Sequence, residues 1–458
     1  MREFPIHTAA AILTFGLLLG ASSRVLPSLK SPRASQVPEL VGLSGTNPPL
    51  VPWSRRVEPE PAALPSALPG KTAAPQPLLD DSSGALDRFY QALWRTEKRE
   101  DGAVTRIVHY GDSPTTADLI TGDVRTMLHK RYGDAGHGFV LIAKPWAWYQ
   151  HAGVQIAGSG WQMAPASRFE SRDGLFGLGG VSFSGGASAH SRITWDDRGN
   201  TRFEVWFLKQ PGGGAFTFSA DGGPAQRVET DAAGKSPAFA EVNAASGAAQ
   251  IDLRVDNPPV RLFGILAEKP GPGVVYDSLG LNGASVTVLT RMFNQNHWTE
   301  QLRHRDPQLL IINYGTNEAD FAGFVDKGYE KELREAIRRA HAALPDASIL
   351  VMSPMDRGYK AGAGEIETMP TIPRILAIQR RVARETGCGF FDTFAAMGGD
   401  GTMARWYAAH PRLVSADLIH PYPAGGKMIA NVFVRELAAG LNRYKLRQTQ
   451  TQSRRMVR

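Results

Sequence analysis

Apolar, strand-like runs alternate with helical patterns in two separate stretches of this chain, and that alternation constrains the fold more than any other feature. The strand-like runs lie at residues 107–110, 274–281 (VVYDSLGL), 309–315 (LLIINYG), 348–354 (SILVMSP) and 389–393 (GFFDT). Helical patterns fall at 85–97, after 118, across 286–304, and over 327–343, 373–385 and 424–441. Strands separated by helices imply a mostly parallel, doubly wound sheet with right-handed crossovers, the three-layer α/β class. Asp118 or Thr121 is the expected N-cap of the helix that ends near Tyr132.

Between residues 161 and 268 the texture changes. Short alternating runs such as RFEVWFLK and AQIDLRV are separated by DDRGN, PGGG, DGG and DNPP. Regular short strands with such turn chemistry predict an all-β sandwich. Alternation places Ile193 with Trp195 on one face, and Phe203 with Val205 and Phe207, mostly as core. Because α/β texture returns afterwards, the β-rich region reads as an inserted domain. The expected division is a signal peptide or anchor over 1–23, a tether over 24–83, an α/β domain in two parts (84–150 and 271–445), the insert over 151–270, and a basic tail over 446–458.

The 458 residues leave room for more than one domain, and 51 Lys+Arg against 44 Asp+Glu give a net charge of +7. No dense basic stripe interleaves with aromatics, so nucleic acid is not an expected partner. The charge suits an anionic envelope surface or simply solubility. The apolar run over 8–21 is short for a membrane span and matches a signal-peptide core, followed by the small residues Gly20, Ala21, Ser22 and Ser23. No cysteine follows it, which excludes a lipoprotein anchor. The expectation is export to the periplasm or cell envelope, with the segment either cleaved or kept as a membrane tether. Residues 27–77 are rich in Pro, Ala and Ser without periodicity and read as an extended tether. The single cysteine, Cys388, forms no internal disulfide and reads as a small buried residue.

Residues 106–120 (RIVHYGDSPTTADLI) form a strand–turn–helix unit that places Ser113 at the carboxyl end of a strand. Ligands of open α/β sheets bind at that edge. There a serine Oγ can act as a nucleophile, with its own N–H turned to a bound carbonyl oxygen. Three further segments join it. Gly283, in Asn282-Gly283-Ala284, lets a substrate approach the backbone. Asn317, in Gly315-Thr316-Asn317-Glu318, offers a neutral amide donor. Asp417 and His420, in Asp417-Leu418-Ile419-His420-Pro421, have the spacing at which a carboxylate fixes an imidazole tautomer and frees the other nitrogen for a hydroxyl.

In that order, GDS, a glycine block, GTN and DxxH resemble the SGNH (GDSL-type) hydrolase superfamily. The resemblance implies a Ser113–His420–Asp417 triad, with Ser113, Gly283 and Asn317 forming the oxyanion hole. A β-sandwich inserted between the serine and glycine blocks resembles the peptidoglycan O-acetylesterase branch, whose insert is similar to a carbohydrate-binding module. Pro114 follows the serine where that branch often has histidine, and Glu318 stands where aspartate is frequent. The implied activity is removal of O-linked acyl groups from an acylated envelope polysaccharide. Acyl transfer by the same site, or glycan binding without catalysis, are the alternatives. Asp112, Trp146, Tyr149 and Asp356 are candidates for substrate contact; Trp146 and Tyr149, with Trp148, can equally pack under the insert. His137, His151 and His190 lack partners at ligand spacing, and no CxxC or HExxH occurs, so neither metal nor cofactor is expected.

Overall fold

A six-stranded sheet carries the α/β part of the molecule, in the order Leu79–Asp80, Gly389–Phe391, Ser348–Met352, Leu309–Asn313, Val104–Gly111 and Gly273–Gly280. The computed structural model describes residues 77–168 and 173–456. The expectations for residues 1–23 and for the tether up to residue 76 lie outside the described residues. Leu79–Asp80 runs antiparallel to its neighbour, whereas the other five strands are mutually parallel. Numbered along the chain, those five stand in the order 2-1-3-4-5, so the direction of winding reverses on either side of Val104–Gly111. Ligands bind at the carboxyl ends of strands beside such a switch point.

Residue alternation along the strands assigns the two faces. Ile107, Leu309, Ile311, Leu350 and Met352 bury against Phe89 and Leu93 of Asp87–Glu97, and against Ile429, Phe433 and Leu437 of the last helix, Pro423–Met456. Val108, Tyr110, Leu310, Ile312 and Val351 point the other way, into the core shared with Gln295–Arg305, Tyr329–Ala343 and Thr371–Glu385. Apolar side chains on both faces explain why these runs are continuously hydrophobic.

A separate antiparallel region of nine strands lies between the two halves of this sheet in sequence. It forms one hydrogen-bonded sheet. Val181–Trp195 pairs along one edge with Val154–Pro165, and along the other with Gln250–Asn257 and then Val260–Glu268. Phe203, Val205 and Phe207 are buried together, as alternation requires. Glu204, Trp206 and Leu208 are buried too, because the opposite face is also covered. His304 of Gln295–Arg305 stacks on Phe239 with centroids 3.5 Å apart and approaches Glu204 Oε2 to 2.9 Å.

A buried ion network joins the two regions. Arg305 reaches both Asp277, on Gly273–Gly280, at 2.5 and 3.2 Å, and Glu268, at the end of Val260–Glu268, at 2.7 Å. Arg106 and Arg202 also bond Glu268. Burial alone would raise the Glu268 pKa, but the guanidiniums of Arg305 and Arg106 hold it well below the usual carboxylate range.

Several boundaries differ from expectation for identifiable reasons. The pattern over 286–304 divides into a π-helical turn, Val288–Met292, and Gln295–Arg305, whose Asn294 side chain accepts from His297 N at 3.1 Å. The pattern over 327–343 becomes the helix Tyr329–Ala343, which Gly328 separates from a short preceding helix, Ala322–Lys327. The last helix runs on to Met456, so residues 446–456 continue the helix and are not a separate tail. Neither proposed N-cap holds: the helix is Thr121–Tyr132, with Thr121 inside it and Ile120 before it. Asp118 sits at φ +54° and accepts the Thr121 hydroxyl at 2.6 Å while pairing with Arg125. Among the described residues no helix is long and apolar enough to cross a membrane.

Candidate active site

A four-residue helical turn, Ser113–Thr116, opens at the serine itself. It closes through Thr116 N to Asp112 O at 2.9 Å and Ala117 N to Ser113 O at 3.1 Å. The turn lies directly on the ends of two strands, and two glycines make that possible. Gly111 and Gly280 face each other in the parallel register. A Cβ on Gly111 would come within 2.2 Å of Thr115 Oγ1, and one on Gly280 within 2.0 Å of Thr116 N. Gly280→Ala must therefore lift the serine turn. Misplacing a reacting group by about 1 Å can cost on the order of 10²-fold in rate. The expected result is a melting temperature lowered by several degrees, read from thermal unfolding, together with a loss of any reaction that depends on the Ser113 position.

His420 arrives from the loop ahead of the last helix. Its Nε2 stands 2.7 Å from Ser113 Oγ, and its Nδ1 stands 2.6 Å from Asp417 Oδ2. The loop is shaped for this. Leu418 is buried at φ +60°, a conformation that costs a non-glycine residue about 1 kcal/mol or more. Its carbonyl accepts from Gly358 N at 3.0 Å, and Ser415 N donates to His420 O at 2.9 Å. Asp417 Oδ1 accepts from the Ser415 hydroxyl and from the backbone N–H groups of Ile419 and His420 at 2.9 and 3.0 Å. Burial acts to raise the Asp417 pKa, yet these bonds and the one to the imidazole hold it at about 2. The Asp417 carboxylate is thus ionised throughout the neutral pH range.

Gly283 and Asn317 follow the strands on either side of the serine strand. Gly283 has φ +70°, and a side chain there would point into open space. Among the described residues neither the Ser113 nor the Gly283 N–H has an internal partner. Asn317 Nδ2 donates to Ala284 O at 2.8 Å, which fixes the amide beside the glycine block and leaves its second N–H available.

Glu318, which the sequence marked only as a departure from a family pattern, is what joins these two loops. It is buried, and its two oxygens accept from Val286 N at 2.8 Å and Gly315 N at 3.0 Å. The signal for it was available: a carboxylate in a tight turn directly after an apolar strand is placed to cap backbone N–H groups. Burial pushes Glu318 up to about 7, with the nearby Asp112 charge adding to the effect. Arg357 secures the same loop from the other side, donating to Thr316 O and forking onto Asp320 at 2.7 and 2.8 Å.

The four candidates for substrate contact, Asp112, Trp146, Tyr149 and Asp356, are all buried. Trp146 and Tyr149 are buried in the core, with Leu141 N donating to the Tyr149 hydroxyl at 3.1 Å. Asp356 is buried and accepts from Met403 N at 2.8 Å, at the start of Thr402–Ala408. For Trp146 and Tyr149 this is the packing alternative that the sequence left open; strand-end position suggested exposure for Asp356, and tertiary packing covers it. Asp112 is buried beneath the serine. Burial pushes its carboxyl up to about 6, against a hydrogen bond from Thr316 and the charges of His420 and Arg357.

This last shift has a consequence for stability. A carboxyl whose folded-state pKa exceeds its unfolded value binds more protons when folded, so stability falls as pH rises between about 4 and 6. Asp112→Asn is expected to flatten that fall. Between pH 4.5 and 7.5 the variant should lose less stability than the parent by roughly 2 kcal/mol, read from urea unfolding midpoints. Asp417 acts oppositely, its contribution being lost only as pH drops from about 4 toward 2.

Cys388 is buried, as expected, and burial pushes its thiol up to about 11.

The family model of GDSL-like lipase/acylhydrolases matches residues 230–428. That span contains Gly283, Asn317, Asp417 and His420, while Ser113 precedes it by most of the β-rich region. Among solved structures, a peptidoglycan O-acetylesterase is similar at 24% identity and a TM-score of 0.68, covering 80% of this chain and 99% of its own. A Bacillus subtilis protein follows at 13% identity and a TM-score of 0.33, covering 62% of this chain and 90% of its own. No curated protein matches the sequence.

Proposed function

We propose that this chain, which carries a GDSL-like acylhydrolase domain and is an esterase, uses Ser113, His420 and Asp417 to remove O-linked acyl groups, acetyl above all, from a cell-envelope polysaccharide such as peptidoglycan. One observation carries the reading: His420 lies within hydrogen-bond reach of both Ser113 Oγ (2.7 Å) and Asp417 (2.6 Å). In the first step Ser113 Oγ attacks the ester carbonyl as His420 Nε2 takes its proton. The N–H groups of Ser113 and Gly283 and the Asn317 amide receive the oxyanion. His420 then returns the proton to the departing sugar hydroxyl, leaving an acyl-enzyme. Water, deprotonated by the same nitrogen, releases the acid and restores the serine.

Water rather than a second sugar is the favoured acceptor, because the site is open. The side chains of Asp417 and His420 are 46% and 35% exposed. Acyl transfer needs a site that excludes water. A polymeric substrate agrees with that openness. The pairing of an α/β sheet with an antiparallel region, shared with a peptidoglycan O-acetylesterase, supports the glycan class. In this reading the β-rich region is an inserted sandwich-like domain over about 151–270 that sits beside the substrate. The amino-terminal segment carries the protein out of the cytoplasm or holds it at the membrane. The test is acetate release from O-acetylated peptidoglycan and from p-nitrophenyl acetate by the full chain. Release from both, abolished by Ser113→Ala, supports the assignment. Turnover of neither overturns it.

A further inference from the structure

Four large apolar side chains stand exposed among the described residues: Trp148 at 48%, Phe321 at 64%, Tyr422 at 44%, and Leu446 on the last helix. Single exposed apolar residues are ordinary. Three of these four, however, fall on three different loops that frame Ser113. Tyr422 is two residues beyond His420. Phe321 ends the short turn Glu318–Asp320 that follows Asn317. Trp148 is two residues from Gln150, whose N–H donates at 3.2 Å to the carbonyl of Thr116, the last residue of the serine turn. Two residues of chain span at most about 7 Å, so Trp148 and Tyr422 stay close to the groups that anchor them.

None of the three rings stacks on another ring or under a cation among the described contacts, although many buried aromatics here do. Each is also isolated by its neighbours in the chain. Pro421 and Pro423 flank Tyr422, Asp320 precedes Phe321, and buried Trp146 and Tyr149 lie to either side of Trp148. Exposed rings on three separate loops do not make a continuous apolar channel for an acyl chain. They present flat, electron-rich faces, which attract the polarised C–H bonds on the face of a pyranose ring.

We propose that Trp148, Phe321 and Tyr422 form an aromatic platform on which successive sugar rings of an O-acylated polysaccharide stack, presenting one ester to Ser113. This rests on the esterase reading above and names the residues that select a polymer over a small ester. The extent of the surface agrees with a chain-like ligand. Four residues before Trp148, Lys144 borders a groove of about 920 Å³ on the β-rich region, lined by apolar side chains such as Ile156 and Met163 together with His190, Arg192 and Asp252.

The test separates ring shape from apolarity. Full-length Ser113→Ala protein is sedimented with O-acetylated peptidoglycan sacculi, alone and combined with Trp148→Leu, Phe321→Leu and Tyr422→Leu. Each lost ring is expected to raise the half-saturating concentration about threefold to tenfold, and all three together about thirtyfold or more. Trp148→Phe with Tyr422→Phe should bind within about threefold of the parent, and Leu446→Ala should match it. In the Ser113 background, the ratio of kcat/KM on sacculi to that on p-nitrophenyl acetate should fall in parallel. Leucine variants that bind like the parent, or a parent that does not bind sacculi, overturn the platform. Ring-dependent binding without any acetate release would overturn the esterase reading and leave the platform standing. Acetate release with ring-independent binding would do the reverse.

Discussion

Ser113→Ala is expected to lower kcat for ester hydrolysis by on the order of 10⁵-fold, with the fold and melting temperature retained. Among the described residues the serine Oγ makes one hydrogen bond, to His420 Nε2, so removing it strands no other buried polar group. His420→Ala should cost about as much. The double variant should be no worse than either single one, because nucleophile and base act as a unit. A residual acceleration of about 10³-fold over water should persist, supplied by the donors at Ser113, Gly283 and Asn317. Progress curves on p-nitrophenyl acetate measure all three variants. Independent, multiplicative losses would mean that the 2.7 Å contact between Ser113 and His420 is not the working one.

Arg305→Met is expected to destabilise the protein by about 3–5 kcal/mol, the usual cost of removing one partner from a buried ion network. The guanidinium is almost wholly buried between Asp277 and Glu268, which are themselves buried. Without it, two carboxylates face each other across the junction of the α/β sheet and the antiparallel region. Asp277 Oδ1 also accepts from Phe139 N at 2.8 Å, so the disturbance reaches the strand Gly138–Val140. Arg305→Lys should recover only part of the loss, since one ammonium cannot reproduce a fork onto two acids. Urea unfolding of the two variants measures the difference. A loss under about 1 kcal/mol for Arg305→Met would show that Arg106 and Arg202 suffice to neutralise Glu268.

The sheet was legible because its strands are continuously apolar and their carboxyl ends carry turn chemistry. Gly111-Asp112-Ser113 and Gly315-Thr316-Asn317 both stop a strand and mark the same edge. Asp417 and His420 were legible as a pair because three residues within a turn bring a carboxylate to an imidazole. What sequence could not show was depth. Trp146, Tyr149 and Asp356 sit at positions that read as edge and loop, and their burial depends on elements distant in the chain. Two strands, Val154–Pro165 and Ser236–Ala248, escaped notice because glycine, serine and alanine blur the alternation that would mark them. Gly280 carried no motif at all. Its role appears only where the chain of the serine turn crosses the strand end, at a separation of more than 160 residues.

The account rests on Ser113 carrying the acyl group, and covalent trapping tests that most directly. The full chain would be treated with a serine-directed fluorophosphonate and its modified peptide identified by mass spectrometry. One adduct is predicted, on Ser113, forming in step with loss of esterase activity and failing to form in His420→Ala. An adduct on another residue, or activity that survives complete modification of Ser113, would contradict it.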